Sequence, residues 1–359
     1  MAAYTTIDDP SAYFKVQLYT GNGSANHAIT FDDTDTDMQP DFVWIKNRDA
    51  TDSHCLFDAV RGATKVIHAD AVTEESTDAD TLDSFTSDGF QVDEDVKVNT
   101  DGEDYVAWCW KANGSGSSNT SGSINTTATS VNTTSKFSII TYEGNGTSGA
   151  TIGHGIGVAP TFIALHHRDM TGGAAESWRV YHDKIASDPA TDFLRLDTAG
   201  AAADDANAWN DTVPSSTLIT LGDGGANNTD DKNFVAYCWA DVQGFSKFGS
   251  FVGNGNADGA FVYTGFRPAL VILKTASRAG TDDWRLYDNK RLGYNVDNNS
   301  LMPNTTAVPR TDDDIDLLSN GFKLRNTPND VNPAGETAVY MAFAEAPFCN
   351  SNGVPCNAR

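Results

Sequence analysis

The chain has 359 residues and a formal net charge of −25, with 49 acidic and 24 basic residues. Hydrophobic residues make up 39% and aromatic residues 10%, which is typical of packed cores and not of a disordered chain. Because the basic residues are few and scattered, nucleic acid is excluded as an expected partner. No stretch approaches the roughly 20 apolar residues of a membrane helix. The first residues show no secretory signal, so we expect no membrane role and synthesis in a cytoplasm.

One pattern occurs three times along the chain. Each copy has a Gly-Asn-Gly loop, a strand that begins after a proline, and a closing strand rich in aromatic residues. The loops are 21–23, 144–146 and 253–255; the strands after proline are 40–46, 160–166 and 268–274; the closing strands are 105–110, 234–239 and 340–345. Copies of this size predict repeated domains.

We therefore predict three β-sandwich repeats, in residues 1–112, 136–243 and 244–359, the last with a short C-terminal tail. Residues 113–135 are rich in Gly, Ser, Thr and Asn, which predicts a flexible linker. Its second half, 124–134, alternates enough to dock as an edge strand.

The local patterns predict an all-β fold of three tandem sandwiches of the jelly-roll kind. Residues 14–19 and 137–142 alternate with period two, and only eight of the acidic residues are glutamate, so turn formers prevail over helix formers. Asn-Gly is expected to form a tight hairpin in each loop. Helical pieces are expected only around 59–71 and 192–207. The tryptophans of the closing strands and of 178–181 and 284–288 are expected in the core.

Two acidic runs are the candidate metal sites. Asp32, Asp33, Asp35 and Asp37 form one, and Asp312, Asp313, Asp314 and Asp316 form the other. Calcium takes such oxygen ligands from loops, but neither run has the glycine and glutamate of a calcium-binding loop. We favour solvated acidic loops over a structural calcium ion and predict no other cofactor.

No transition-metal or catalytic constellation is predicted. His166 and His167 are adjacent on a strand and point to opposite faces, so they cannot share an ion with His182 from one face. Residues 144–149 match a dinucleotide fingerprint, but no helix start follows, so the match is read as a hairpin turn. Paired carboxylates at glycosidase spacing and a Gly-x-Ser-x-Gly elbow are missing from the sequence. Cys109 and Cys238 are expected as buried thiols, and the pairing of Cys349 with Cys356 stays open.

Several segments resemble tandem-repeat structural proteins of marine bacteriophages, cyanophages and their relatives. These segments are 5–14, 39–48, 58–65, 153–160 and 178–183, so the resemblance covers most of the first two copies. It implies concanavalin-A-like or laminin-G-like repeats and a tail-fibre or other virion protein, and it carries over no functional residue.

The sequence thus predicts a non-enzymatic phage virion protein on the particle surface: a short tail fibre, a fibre-base subunit or a head decoration. Its expected partners are other tail or capsid proteins and host surface polysaccharide. We also expect the chain to form a homo-oligomer, with a trimer as the favoured state. The alternative is a secreted or surface carbohydrate-active enzyme or lectin with concanavalin-A-like domains.

Overall fold

The computed structural model describes residues 3–31, 36–170, 176–185, 188–291, 295 and 299–356. All strand pairs named in it are antiparallel, and each repeat packs a large sheet against smaller strands. This confirms the predicted all-β sandwich class. In the described residues the helical elements are a 3₁₀ turn (Pro10–Ala12), α1 (Val96–Asn99) and α2 (Ala206–Trp209).

The described part of repeat 1 has nine strands in two sheets. They are β1 (Phe14–Thr20), β2 (His27–Thr30), β3 (Phe42–Asn47), β4 (Cys55–Asp58), β5 (Lys65–His68), β6 (Ser76–Thr77), β7 (Leu82–Thr86), β8 (Gly89–Val92) and β9 (Asp104–Trp110). The large sheet has the order β1-β9-β3-β4-β5-β6 and the small sheet β2-β8-β7. The closing strand β9 therefore lies inside the large sheet, between β1 and β3.

Repeat 2 keeps this arrangement. Its strands are β10 (Ala128–Asn132), β11 (Phe137–Glu143), β12 (Ala150–Gly153), β13 (Phe162–His167), β14 (Arg179–His182), β15 (Asp192–Phe193), β16 (Ala203–Asp204), β17 (Leu218–Leu221) and β18 (Asn233–Trp239). The large sheet is β10-β11-β18-β13-β14, and β12-β17 and β15-β16 form two-stranded sheets.

Repeat 3 repeats it again. Its strands are β19 (Ser246–Val252), β20 (Phe261–Tyr263), β21 (Phe266–Thr275), β22 (Arg285–Asp288), β23 (Asn299–Ser300), β24 (Arg310–Thr311), β25 (Ile315–Leu318), β26 (Gly321–Leu324) and β27 (Thr337–Pro347). The sheets are β19-β27-β21-β22, β20-β26-β25 and β23-β24.

Strand pairing establishes which residues correspond between repeats. Trp110 pairs with Phe42, Trp239 with Phe162, and Phe343 with Leu270. By the same pairing Trp108, Tyr237 and Met341 correspond, and so do Asp58, His182 and Asp288. The three sequence patterns therefore lie at equivalent strand positions in the fold.

Each repeat encloses its own core between its sheets, and a further core is shared by all three. The shared core contains Trp110, Trp239 and Phe343, each at most 4% exposed. The Trp110 ring lies 6.0 Å from the Trp239 ring and 5.5 Å from the Phe343 ring, measured between centroids. The large sheets thus bury both faces: one against their own small strands and one against the other repeats.

Three local expectations are wrong or incomplete. The Gly-Asn-Gly loops join β1 to β2, β11 to β12 and β19 to β20, and the two strands of each pair lie in different sheets, so all three loops are crossovers and not hairpins. Residues 59–71 form a turn and the strand β5 and no helix, because β5 pairs with β4. Residues 192–207 contain the strands β15 and β16 and only the start of one helix, α2, and the helix α1 was not expected.

The segment 113–135 is held against the body of the protein along much of its length. Asp41 accepts hydrogen bonds from the backbone N–H groups of Ala112 and Gly114, at 2.7 and 3.1 Å. Asn113 donates to the Ser130 hydroxyl at 2.8 Å. Its second half contains β10, which pairs with β11 as the expected edge strand. These hydrogen bonds and the pairing of β10 attach the segment that its composition predicts to be a linker.

Candidate functional site

The acidic runs were the sequence-derived metal candidates, and the structure describes only part of them. Asp32, Asp33 and Asp35 lie outside the described residues. Asp37 and Asp313 are exposed. Asp312 forms an ion pair with Arg310 at 2.9 Å, and Asp316 forms one with Arg325 at 3.2 Å. Among the described residues no group of three or more His, Cys, Asp or Glu side chains is arranged to hold a metal ion.

Asp314 has a separate structural role. It is fully buried, and its Oδ2 accepts a 2.7 Å hydrogen bond from the Tyr287 hydroxyl, while Oδ1 accepts one from Asn326 at 3.0 Å. Burial raises the pKa of Asp314, and the hydrogen bond from Tyr287 partly opposes that shift. Its oxygens therefore serve as acceptors for other side chains of repeat 3.

The histidines are engaged in packing, each at its own place. His166 stacks on Trp178 with 4.4 Å between centroids, and its Nε2 lies 3.0 Å from the Thr73 carbonyl oxygen. His167 stacks on Phe234. His182 Nε2 lies 3.1 Å from the Tyr340 carbonyl oxygen. Burial lowers the pKa of His166 to about 3 and that of His182 to about 4, so both rings are neutral near pH 7.

Two buried carboxylates, Asp58 and Asp288, join one repeat to the next. Asp58 binds Arg61 within repeat 1 and accepts a 2.7 Å hydrogen bond from Tyr237 of repeat 2. Asp288 binds Arg291 within repeat 3 and accepts a 3.1 Å bond from the Trp108 indole of repeat 1.

The third junction uses different chemistry at the same place. His182 occupies the position of the two aspartates, and Met341 occupies that of Tyr237 and Trp108. Because a thioether cannot donate, His182 bonds instead to the backbone carbonyl of the adjacent Tyr340. The contacts run from repeat 2 to 1, from 1 to 3 and from 3 to 2. They form a closed ring with approximate threefold order.

A second ring of contacts follows the same order. The indole N–H of Trp178 donates to the His68 carbonyl at 3.0 Å, and that of Trp284 donates to the Arg195 carbonyl at 2.8 Å. In repeat 1 the corresponding residue is His54, whose ring faces the backbone of Met302, although its Nε2 lacks a hydrogen bond of ordinary geometry. Sequence analysis expected these tryptophans in the core, but it did not predict their bonds to another repeat.

Three buried asparagines hold the Gly-Asn-Gly loops, and sequence analysis missed them. Asn99 accepts from the Asn22 N–H at 2.9 Å, Asn228 from that of Asn145 at 2.9 Å, and Asn332 from that of Asn254 at 2.8 Å. Each also donates its amide back into the loop. One sequence signal could have revealed them. An asparagine stands six residues before Tyr105, Phe234 and Ala338, which are equivalent positions of the three closing strands.

A small cavity of about 30 Å³ lies in the shared core. Apolar and aromatic side chains line it, among them Trp44, Trp178 and Trp284. That volume is near the minimum for one water molecule, and the lining offers an organic ligand no room.

Two larger clefts open at junctions between repeats. One, of about 270 Å³, lies between repeats 1 and 3 and includes Lys15, Arg267 and Glu345. The other, of about 350 Å³, lies where repeats 2 and 3 meet the N-terminal segment; we call it the tyrosine cleft. Its lining residues are Tyr4, Asp241, Gln243, Ser246, Lys247, Tyr263, Thr264 and Gly265.

The fold and its contacts define a class of protein: an all-β chain of three sandwich repeats closed into one ring around a shared aromatic core. The chain belongs to the family described as a domain of unknown function, DUF7483, whose profile matches residues 9–347. That match treats all three repeats as one unit. No curated protein and no solved structure matches the chain. Among its described residues, no helix is long and apolar enough to cross a membrane.

Proposed function

We propose that this chain is a non-enzymatic structural protein on the surface of a bacteriophage particle, as a short tail fibre, a fibre-base subunit or a head decoration. The observation that supports it best is the closed ring of repeats. Asp58, His182 and Asp288 are buried ionisable groups, and each is bonded across a junction between repeats. Bonds of this kind stabilise the positions of the repeats relative to one another, as a structural protein requires.

The resemblance of segments 5–14 and 39–48 to tandem-repeat phage proteins supports the particle assignment. The excess of acidic residues supports a surface that stays soluble at high local concentration. In this proposal the other tail or capsid proteins are partners, and host surface polysaccharide is the external contact. The chain forms a homo-oligomer, with a trimer as the favoured state.

Mass spectrometry of purified virions tests the proposal. We expect the chain in mature particles at a fixed copy number, and its absence from them would end the idea. Cryo-microscopy of the same particles separates tail from head. The enzyme alternative is tested by incubating the purified chain with algal and bacterial polysaccharides. Release of reducing ends, abolished by one carboxylate substitution, would replace the proposal with that alternative.

A further inference from the structure

We propose that the tyrosine cleft and the strand beside it bind a neutral polysaccharide, with Tyr263 and Phe261 as the stacking surface. The inference extends the host-polysaccharide contact named above and assigns it a place on the chain. It rests on exposure, on comparison between the repeats, and on the polar groups of the cleft.

Phe261 and Tyr263 are exposed where a sandwich normally presents polar residues. Their exposed fractions are 47% and 54%, whereas Val262 between them is 6% exposed and packs into the core of repeat 3. Residues two apart on a strand lie on one face, about 7 Å apart. Two aromatic rings therefore stand side by side on the outer surface of β20.

Repeat 1 shows that the fold does not require these rings. Val262 pairs with Phe322 as Ile29 pairs with Phe90, so Phe261 and Tyr263 correspond to Ala28 and Thr30 of repeat 1. The core positions are apolar in both repeats, and only repeat 3 adds aromatic residues on the outside. A role in packing common to the repeats is therefore excluded for these two rings.

Polar groups suited to sugar hydroxyls lie next to the ring of Tyr263. The Tyr4 hydroxyl lies 3.2 Å from the Tyr263 hydroxyl and donates to the Gly265 carbonyl at 2.7 Å. Asp241 is oriented by the Phe248 N–H at 2.8 Å and by Lys247 at 2.5 Å. An exposed amide, Gln243, completes the cleft. A few placed polar groups beside an apolar surface are typical of a ligand site.

These features together identify the ligand class. A pyranose ring presents C–H groups to an aromatic face and hydroxyls at its edge, which both donate and accept. The net charge of −25 repels polyanions, so we expect the ligand to be a neutral polymer and not an acidic one.

Affinity electrophoresis of the full chain tests the proposal with three polymers in the gel: mixed-linkage β-glucan, galactomannan and alginate. We expect at least one neutral polymer to retard the protein and alginate to leave it unaffected. Tyr263→Ala and Phe261→Ala should each weaken binding about tenfold or more, because each removes an aromatic contact surface. Tyr263→Phe keeps the ring and should retain most of the binding.

Thr30→Ala, at the corresponding exposed position of repeat 1, is the matched control and should bind as the unaltered chain does. Thermal unfolding of every variant shows that the fold is intact. The inference is overturned if neither neutral polymer binds, if only alginate binds, or if Tyr263→Ala binds normally. Because the assay uses the isolated chain, it can fail while virion analysis still finds the protein in particles, so the two proposals fail separately.

Discussion

The hydroxyl of Tyr237 in repeat 2 donates a 2.7 Å hydrogen bond to the carboxylate of Asp58 in repeat 1. Both side chains are buried, and Asp58 also binds Arg61. Desolvation lowers the pKa of the Arg61 guanidinium, but Asp58, with Glu75 and other neighbours, more than reverses this and raises the pKa overall. The junction is therefore a buried ion pair completed by a donor from another repeat.

Removal of that donor tests its contribution to the junction. Tyr237→Phe keeps the ring and deletes the hydroxyl, so Asp58 loses one partner in a buried place. The free energy of unfolding should fall by about 1–3 kcal/mol, measured by urea denaturation. Tyr263→Phe, at an exposed tyrosine, should change it by less than about 0.5 kcal/mol. Equal stability of the Tyr237→Phe variant and the unaltered chain would contradict this role.

The shared core predicts that the three repeats unfold together. Trp110 touches residues of repeats 2 and 3, so Trp110→Ala should destabilise the whole chain by about 3–5 kcal/mol. Calorimetry should show one transition for the unaltered chain, with matching calorimetric and van't Hoff enthalpies. Three separable transitions, only one of them shifted by the substitution, would show independent domains.

The neutral buried histidines predict a loss of stability in mild acid. The ordinary histidine pKa is 6.5, and burial lowers that of His182 to about 4. Between these values the unfolded chain binds a proton that the folded chain does not. The contribution of His182 is therefore complete above pH 6.5 and is lost as the pH falls toward 4, on the order of 2–3 kcal/mol. His154, with its pKa lowered to about 4, acts in the same direction.

Urea denaturation between pH 7.5 and 4.5 measures this effect. His182→Gln can still donate to the Tyr340 carbonyl but cannot titrate, so it should reduce the slope of stability against pH. Asp314 cannot cause the loss, because its raised pKa makes the folded state bind its proton more readily as the pH falls. A flat profile from pH 7 to 5 would contradict the prediction.

The Gly-Asn-Gly loops predict intolerance of any side chain at their first glycine. A Cβ on Gly144 would lie 2.3 Å from the Thr229 carbonyl oxygen, so Gly144→Ala must displace backbone and should destabilise by about 1–3 kcal/mol. Gly200→Ala is the control, because the nearest atom would lie at 3.6 Å. It should be neutral or slightly stabilising in thermal unfolding. Equal effects at both positions would show that the close approach in the loop is not limiting.

The thiols should divide into two reactivity classes. Cys55, Cys109 and Cys238 are fully buried, and burial raises the pKa of each thiol. Cys356 is exposed and Cys349 partly so. Ellman's reagent should therefore modify at most two thiols in the native chain and five after denaturation. Rapid reaction of a third thiol in native conditions would contradict the burial.

The sequence by itself determined the repeats, the all-β class and the burial of the aromatic residues of the closing strands. Trp108 and Trp239 lie in the core because the closing strands are apolar almost throughout and must be covered. The strand β12 after residues 144–149 confirms that no helix begins there, although the expected hairpin is wrong because β11 and β12 lie in different sheets. Such local features depend on neighbouring residues only, so a linear pattern can reveal them.

Only the tertiary structure decided that the repeats share a core and a ring of polar contacts. The partners Tyr237 and Asp58 are 179 residues apart, and no local rule specifies contacts at that separation. One sign of the shared core was present in the strand 105–110, which is apolar on both faces. A sandwich sheet with one solvated face needs apolar residues on its other face only. The exposed pair Phe261 and Tyr263 was equally hidden, because the face of a strand that meets solvent depends on its pairing and on what packs against the sheet.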